Sequence, residues 1–350
     1  MERTISGTEV SDDSDGIPTI TYYNISGGLD YENELLEGWG MAGKIRLVGV
    51  TSEDQTDEDF IGSVRDSEGV VVEYFTVTDR LMDELPDLRV IGLQSIGTDM
   101  VDKPAATLHG IAVTNAPGFC QQEVATTAVG MIIDLARKIT YYDRDVRAGA
   151  WEPLDGSMPH RVQGMTVGLV FFGGIPRIMA PVLVALGMKV LVYAPTKTAD
   201  YLASFGVEKV NALDELLTRS DVVSLHTPLI PETRHLISDR ELRLMKPTAF
   251  LVNTSRGAVV DEVALVRALR DGSIAGAAVD VIEDESSERT ELSSLDSVVI
   301  NPHAAFLSQE SFLQAREMAL RGMVDLLVEG RKPRYLVNKD WNGSTWKAVE

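Results

Sequence analysis

Three polar residues in the last third of the chain form a set that suits acid-base chemistry on a small acid. Arg256, Glu285 and His303 each follow a short apolar run that reads as a buried strand. In open α/β sheets the ligand crevice lies outside the carboxyl ends of the strands, so these side chains are expected to converge there. Arginine can bind a carboxylate and polarise the adjacent carbonyl, histidine can give that carbonyl a proton, and glutamate can hold the histidine in its charged form. The set therefore suits redox chemistry on a 2-oxo or 2-hydroxy acid.

Each of the three residues also has a simpler structural interpretation. Arg256 could cap a helix or pair with a surface carboxylate, and His303 could be an ordinary core histidine. Glu285 stands in an acidic loop beside Glu283 and Asp284, where a solvated run of charge is the plain alternative. An elimination or a hydrolysis would use the same three side chains, so non-redox acid-base chemistry stays open on these residues alone.

Alternating strand and helix patterns form the frame that must position these residues. The first series indicates βαβ units around a parallel sheet, and a long helical pattern from Gln122 to Ala148 separates it from a second series of six strands, the size of a dinucleotide domain. Strands are predicted at 20–23, 45–50, 69–72, 90–93 and 112–114, and then at 167–172, 189–193, 222–226, 249–253, 277–280 and 298–300. Helices are predicted at 78–85, 213–218, 239–245, 262–271 and 310–328, and a last strand-like piece at 334–337 could return to the first domain.

Length and composition narrow the class of protein. The 350 residues, 44% of them hydrophobic, have room for two domains with separate cores. The formal charge of −21 argues against nucleic acid or an anionic membrane as a partner, so a small anionic substrate must meet a local positive site. The acidic start, residues 1–16, is expected to be disordered, and no apolar run reads as a signal sequence or membrane span. The expected location is therefore the cytoplasm, and the lone cysteine, Cys120, agrees with a reducing compartment without establishing it. No metal site is expected.

Several motifs, in order along the chain, resemble the D-isomer-specific 2-hydroxyacid dehydrogenase family. They are Ser95-Ile96-Gly97-Thr98-Asp99, Asn115-Ala116-Pro117-Gly118, His226-Thr227-Pro228-Leu229, Asn253 to Gly257, Ala278-Val279-Asp280 and Pro302-His303-Ala304-Ala305. The resemblance implies two Rossmann-like α/β domains, with a dinucleotide-binding domain (124–307) inserted into a split substrate domain (17–123 and 308–350), usually as a homodimer. It also implies D-specific hydride transfer between NAD or NADP and a small 2-oxo or 2-hydroxy acid.

The same resemblance suggests roles for individual residues. Arg256 would bind and polarise the substrate, His303 would exchange the proton, and Glu285, chosen over Glu283 by its spacing from Asp280, would tune His303. The backbone amides of Ser95, Ile96 and Gly97 would hold the substrate carboxylate, although a plain turn is the alternative. The cofactor would contact Gly173, Gly174, Ile175, Ala194, Lys197, Thr227, Pro228, Thr254 and Asp280.

The expected cofactor loop departs from a dinucleotide fingerprint. Of the three glycines that such a loop needs, only the second remains, as Gly173, while Phe171 and Pro176 replace the first and third. Pro181 falls within the following helix, which could start late or bend. Ala194 stands where an acid would bind the adenosine ribose, and Lys197 follows, which favours NADP over NAD. The alternative is that Lys197 is only a solvated loop residue. Cofactor binding is therefore expected to be weak or lost.

A third class of function comes from the end of the chain. Val337-Asn338-Lys339-Asp340 resembles the end of the C-terminal-binding-protein corepressors, which belong to the same family. A dinucleotide-sensing binding scaffold is therefore an alternative to an enzyme.

Overall fold

The chain divides into two compact units in the computed structural model. Unit 1 comprises Met1–Phe119 and Ser308–Glu350, and unit 2 comprises Cys120–Leu307. The structure describes residues 16–25, 27–73, 75–153, 158–286 and 290–343. The predicted disorder of the acidic start falls, except for Gly16, outside these residues.

Strands and helices alternate through both units. The strands are β1 (Thr19–Tyr23), β2 (Arg46–Val50), β3 (Gly69–Val72), β4 (Val90–Leu93), β5 (Ala112–Thr114), β6 (Thr166–Val170), β7 (Lys189–Tyr193), β8 (Glu208–Val210), β9 (Val222–Leu225), β10 (Phe250–Asn253), β11 (Gly276–Val279) and β12 (Val298–Ile300). The helices are α1 (Asp30–Gly38), α2 (Asp57–Val64), α3 (Asp79–Asp83), α4 (Lys103–Leu108), α5 (Gln121–Arg137), α6 (Ile139–Arg147), α7 (Gly174–Ala185), α8 (Ala199–Ala203), α9 (Leu213–Arg219), α10 (Asp239–Leu244), α11 (Glu262–Arg270) and α12 (Gln309–Leu327).

Unit 1 is built on a five-stranded parallel sheet in the order β2-β1-β3-β4-β5. Apolar side chains from α2, α3 and α4 pack with one set of strand residues, and those from α1 and α12 pack with another. A buried ion pair between Arg316 and Glu32 ties α12 to α1, and Arg316 also donates to the Gly28 carbonyl at 2.7 Å. Helix α12, 190 residues or more beyond the last strand of this sheet, is therefore an integral part of unit 1.

The segment after α12 returns to the sheet of unit 1 without forming the predicted strand. Leu336 makes one antiparallel bridge with Thr114, and the Val337 amide donates to the Val113 carbonyl at 2.8 Å. The Asn338 side chain is buried and hydrogen-bonds residues 107, 111 and 113. The segment that resembles the corepressors thus has a structural role within unit 1.

Unit 2 contains a seven-stranded parallel sheet in the order β12-β11-β10-β9-β6-β7-β8. The chain starts at the central strand β6, runs outward through β7 and β8, and then returns to β9 and the opposite edge. Two apolar clusters cover it, one with α5 and α7 and the other with α9, α10 and α11. The sequence prediction of a parallel, doubly wound α/β fold is confirmed, whereas the count of six strands was wrong because the three-residue β8 is too short and too polar to show a strand pattern.

The single long helix predicted from Gln122 to Ala148 is two helices. Lys138 adopts a left-handed conformation with φ of 57° between α5 and α6, and the Asp134 carboxylate accepts the Thr140 amide at 2.8 Å. Helix α6 has no buried residue, and Ile139 is 57% exposed. No packed face continues the apolar stripe of α5, so the local bond to Asp134 sets the new helix start.

In the described part of the chain, no helix has both the length and the apolar content to cross a membrane.

Candidate active site

Arg256 lies just past the carboxyl end of β10. The Asn253 side chain binds the loop in two directions, because its Oδ1 accepts the Ser255 amide at 3.0 Å and its Nδ2 donates to the Arg256 carbonyl at 3.0 Å. The Arg256 guanidinium donates to the Ser255 carbonyl at 2.8 Å, and within the described ranges it forms no ion pair. A half-buried cation without a carboxylate partner is available to an anionic ligand.

Gly257 lets the next catalytic loop approach. A Cβ at this position would lie 1.7 Å from the carbonyl oxygen of Ile282. Any other residue would push away the segment that leads to Glu285. The sequence motif contained this glycine, but the sequence did not show why glycine is needed. The reason is a tertiary contact with the backbone of a loop 25 residues further on.

Glu285 and His303 meet in unit 2. The His303 Nδ1 lies 2.8 Å from the Glu285 Oε2, with both side chains a little under half exposed. Glu283, two residues earlier, instead binds Arg234 and His235, each at 2.8 Å. The pairing that spacing predicted for Glu285 is present in the structure, and Glu283 is occupied elsewhere.

Asp280 holds the His303 loop in place. Its buried carboxylate accepts the amides of Ala304 and Ala305 at 2.9 and 3.0 Å, and its carbonyl accepts the His303 amide at 2.8 Å. His303 itself has a φ of 51°, in the left-handed region that residues other than glycine adopt uncommonly, although asparagine, aspartate and histidine do so more often than the rest. These three bonds account for how the loop keeps this conformation, so Asp280 is a positioning residue for His303, a role that its place in the sequence did not reveal.

The segment Ser95–Gly97 follows β4 in unit 1. Its carbonyls are occupied, since the Ser95 hydroxyl donates to the Gly97 carbonyl at 2.7 Å and the Asn115 amide donates to the Ile96 carbonyl at 2.9 Å. The backbone amides of Ile96 and Gly97 donate to no group among the described residues. The turn therefore presents free N–H groups at the carboxyl edge of the sheet, where a carboxylate can bind.

The loop after β6 has the backbone of a dinucleotide loop without its first glycine. Strand β6 ends at Val170, two residues before the predicted end, and Phe171 adopts a φ of 70°. A bulky residue with positive φ is an outlier that costs about 1 kcal/mol or more. The half-buried Phe171 ring packs edge-on against Tyr193 at 6.4 Å between centroids. The tight turn thus persists, and the ring lies beside the carboxyl end of β7.

The rest of the loop fits a dinucleotide. A Cβ on Gly173 would meet no atom within 4 Å, so no protein contact requires a glycine at this position. The open space leaves room for the close approach of a ligand. Helix α7 begins at Gly174 as a fingerprint helix should, and it continues through Pro181. The amides of Gly174 and Ile175 have no partner in the described structure, and a helix N-terminus favours a pyrophosphate. The buried Thr254 hydroxyl, at the end of β10, also lacks a partner.

The residues expected at the adenosine end follow β7. Ala194 is buried, and Lys197 lies in the next turn with its ammonium 5.5 Å from the Tyr201 ring centroid. Lys197 forms no ion pair with a described carboxylate. Its charge is therefore available to an anion.

The residues after β9 differ in their surroundings. Thr227 is buried with its hydroxyl 3.2 Å from the Pro228 carbonyl, and Pro228 is exposed. The ring of His226 bonds Ser224 at 2.9 Å, and burial lowers the pKa of His226 to about 3. A neutral imidazole with one nitrogen already bonded is a structural group, not an acid-base catalyst. Cys120, at the start of α5, is equally inert, because burial raises the pKa of its thiol to about 12.

Comparison with known proteins agrees with this geometry. The family model described as D-isomer specific 2-hydroxyacid dehydrogenase, NAD binding domain, matches residues 129–305. A glyoxylate reductase of Thermococcus litoralis is 39% identical over 274 residues, which cover 75% of this chain and 82% of the relative. A glyoxylate reductase structure from Paecilomyes thermophila is 27% identical with a TM-score of 0.79, covering 92% of this chain and 98% of the other. The apo D-mandelate dehydrogenase of Rhodotorula graminis is 26% identical with a TM-score of 0.81, with coverage of 92% and 98%.

Fold, site and relatives together define a nicotinamide-dependent α/β dehydrogenase. The chain belongs to the D-isomer-specific 2-hydroxyacid dehydrogenase family, and its reaction is NAD(P)-dependent hydride transfer involving a small 2-oxo acid. The glyoxylate reductases and the D-mandelate dehydrogenase described above do not favour the non-redox or scaffold alternatives.

Proposed function

We propose that the chain reduces glyoxylate and related small 2-oxo acids to D-2-hydroxy acids, with His303 as the proton donor. The observation that carries this proposal is the 2.8 Å contact between the His303 Nδ1 and Glu285. A carboxylate on Nδ1 orients the imidazole and leaves Nε2 free to exchange a proton with the substrate oxygen. In the reverse direction the neutral ring takes the proton back.

In unit 2, Arg256 binds the substrate and polarises its carbonyl. Its unpaired guanidinium has the planar donor geometry that suits a carboxylate and an adjacent carbonyl oxygen. In unit 1, the free amides of Ile96 and Gly97, with Ser95 ordering the turn, bind the substrate carboxylate. The sequence-based division into a dinucleotide domain (124–307) and a substrate domain (17–123 and 308–350) is part of the same proposal.

The cofactor is a nicotinamide dinucleotide, which supplies the hydride for the carbonyl carbon when bound. Gly173, Gly174 and Ile175 would hold the pyrophosphate of the cofactor. The buried hydroxyl of Thr254, which has no partner among the described residues, would hydrogen-bond the nicotinamide half. Thr227, Pro228 and Asp280 remain predicted contacts. The absence of an acid at Ala194 and the unpaired Lys197 support a preference for NADPH over NADH.

A homodimer is the proposed assembly. Helix α6 and the segment after it expose apolar side chains: Trp151 is 87% exposed, Met158 64% and Ile139 57%. Covering such side chains is a common reason for association. Light scattering should give twice the monomer mass, and Trp151→Glu should shift the protein towards monomer.

The decisive experiment follows nicotinamide absorbance while the purified protein meets glyoxylate and other 2-oxo acids with NADPH or NADH. Wild type should oxidise the nicotinamide in step with hydroxy acid formation. His303→Ala should lower turnover by roughly two to four decades with an unchanged melting profile. His160→Ala, at an exposed histidine in the same unit, is the matched control. Near wild-type turnover in folded His303→Ala would remove His303 from the mechanism.

A further inference from the structure

A row of unsatisfied polar side chains lies at the carboxyl edge of the sheet of unit 1. Strand pairing joins Tyr22 to Val71 and Val72 to Leu93. Continued by one residue, the second pairing places Glu73 and Gln94 side by side just past the ends of β3 and β4. Asn24, with a φ of 54°, follows the end of the neighbouring strand β1. Adjacent strands lie about 4.8 Å apart, so the three residues share one edge of the sheet.

These three residues have hydrogen-bonding groups that the protein leaves unused. Gln94 is 5% exposed, and neither its Nε2 nor its Oε1 has a partner. The Asn24 Oδ1 accepts the Ser52 amide at 2.6 Å, but its buried Nδ2 has no partner. Glu73 forms no ion pair or hydrogen bond with a described residue, and burial raises the pKa of its carboxyl.

Unused buried polar groups are costly, at about 1–3 kcal/mol each, so a cluster of them calls for an explanation. Among the described residues such atoms occur in Asn24 and Gln94 of this row and otherwise only in Tyr22 and Thr254, while Glu73 is half-buried. The row directly precedes the Ser95–Gly97 turn, because Gln94 is the residue before Ser95. In an open parallel sheet this edge is where ligands bind.

We infer that Glu73 and Gln94 determine substrate specificity by binding a hydrogen-bond donor, a hydroxyl or ammonium group, on the side chain of the 2-oxo acid. This inference rests on the proposed function, since it takes the amides of Ile96 and Gly97 to hold the carboxylate of the same substrate. Glu73 accepts the donor and Gln94 offers both a donor and an acceptor. An apolar substituent would leave all of these groups unsatisfied.

Two substrates of the same size test the inference. Hydroxypyruvate carries a hydroxyl where 2-oxobutanoate carries a methyl, so the ratio of their kcat/KM values reports the recognition of the hydroxyl. We expect wild type to favour hydroxypyruvate roughly 10- to 100-fold. Glu73→Leu and Gln94→Leu should each lower the ratio about tenfold or more, mainly through the KM for hydroxypyruvate. Glu84→Gln, at an exposed glutamate in the same unit, should leave the ratio unchanged.

The outcomes separate this inference from the proposed function. If wild type reduces glyoxylate but shows a ratio near one, the inference is wrong and the proposed function stands. A ratio that stays within twofold of wild type in folded Glu73→Leu and Gln94→Leu also overturns it, and leaves the row a structural feature. Where a leucine variant does not fold, Glu73→Ala and Gln94→Ala replace it, and an unchanged ratio in them has the same meaning because alanine removes the hydrogen-bonding groups. If wild type reduces no 2-oxo acid, the proposed function fails first.

Discussion

At the scale of single residues, chemistry depends on which groups the protein leaves unpaired. Several arginines of this acidic chain are bound to carboxylates, as Arg240 is to Asp214 and Arg267 to Asp239. Arg256 instead donates to a neighbouring carbonyl and keeps its charge uncompensated by any described carboxylate. A local cation of this kind is what a small anion needs to approach a protein of net charge −21.

Replacing Arg256 by lysine tests whether the planar guanidinium matters. Lysine keeps the charge but offers one point where arginine offers a fork, so Arg256→Lys should raise KM, lower kcat and reduce kcat/KM by roughly one to two decades. Steady-state kinetics with glyoxylate measure the effect, and Arg243→Lys, at an exposed arginine, is the control. Unchanged KM and kcat in Arg256→Lys would show that the residue is structural.

Phe171 shows how a motif can be lost while its backbone persists. Phe171→Gly removes the strain of a positive φ and the ring beside Tyr193, so it should tighten NADPH binding by roughly tenfold. Pro176 is buried in the first turn of α7, where proline is tolerated, so Pro176→Gly should bring no such gain. Calorimetric titration of both variants decides the matter, and equal affinities for wild type and Phe171→Gly would contradict the prediction.

We predict that the residue after β7, Ala194, influences the choice between the two dinucleotides. Ala194→Asp should shift preference towards NADH, because a carboxylate accepts ribose hydroxyls and repels a 2'-phosphate. The ratio of the two dissociation constants is the measurement. Lys197→Met should lower NADPH affinity with little effect on NADH, and an unaltered ratio in both variants would exclude this end of β7 from cofactor selection.

At the scale of elements, the candidate site residues follow the carboxyl ends of the parallel strands. Other residues near these ends contribute to the stability of the fold instead. His226 illustrates this second group, since it follows β9 and bonds back to Ser224 on that strand. Its imidazole has a pKa of about 3 in the folded protein and an ordinary value of 6.5. As the pH falls below 6.5 the unfolded chain therefore binds a proton that the folded chain does not, and stability decreases until about pH 3.

The corresponding prediction is a flatter acid response without this histidine. A group that binds a proton only in the unfolded chain lowers the free energy of unfolding by about 1.4 kcal/mol for each pH unit. His226 should contribute less than this value because the residue is partly exposed. His226→Gln should therefore lose less stability than wild type between pH 7 and pH 5, even if it is less stable at pH 7. Thermal unfolding at both pH values measures this, with His160→Gln as the exposed control. Parallel losses in wild type and His226→Gln would show that the pKa of His226 is not lowered in the folded protein.

At the scale of the whole molecule, the feature considered is the repulsion among the excess negative charges. The chain has 53 acidic and 32 basic residues, a difference of 21 negative charges that repel one another in the compact state. Salt shortens the reach of this repulsion from about 10 Å at 0.1 M to about 3 Å at 1 M. Surface ion pairs weaken at the same time, but the excess carboxylates have no partners to lose.

We therefore expect the melting temperature to rise by several degrees between 0.1 and 1 M KCl, because screening relieves the net repulsion. Repeating the titration at pH 5, where carboxylates begin to take up protons, should give a smaller rise. A melting temperature that falls with salt at pH 7 would mean that the surface ion pairs outweigh the net repulsion.

Local patterns in the sequence were enough to predict the parallel α/β architecture and several strands with the bounds that they have in the structure, such as 69–72 and 90–93. Buried parallel strands are continuous apolar runs, and this signal is local. Arg256, Glu285 and His303 could be named from motif and spacing, and the contact between the last two was a prediction that the geometry supports.

Other features depended on tertiary contacts. Helix α6 has no buried residue, so burial does not extend the apolar stripe of α5 beyond the break at Lys138, and the need for Gly257 arises from the backbone of Ile282. The positive φ of Phe171 and the three bonds from Asp280 to the His303 loop are set by neighbours distant in sequence. The row of Asn24, Glu73 and Gln94 exists only because strand register aligns residues about 20 to 50 positions apart. Sequence patterns record which residues prefer burial, whereas pairing across a sheet decides which of them become neighbours.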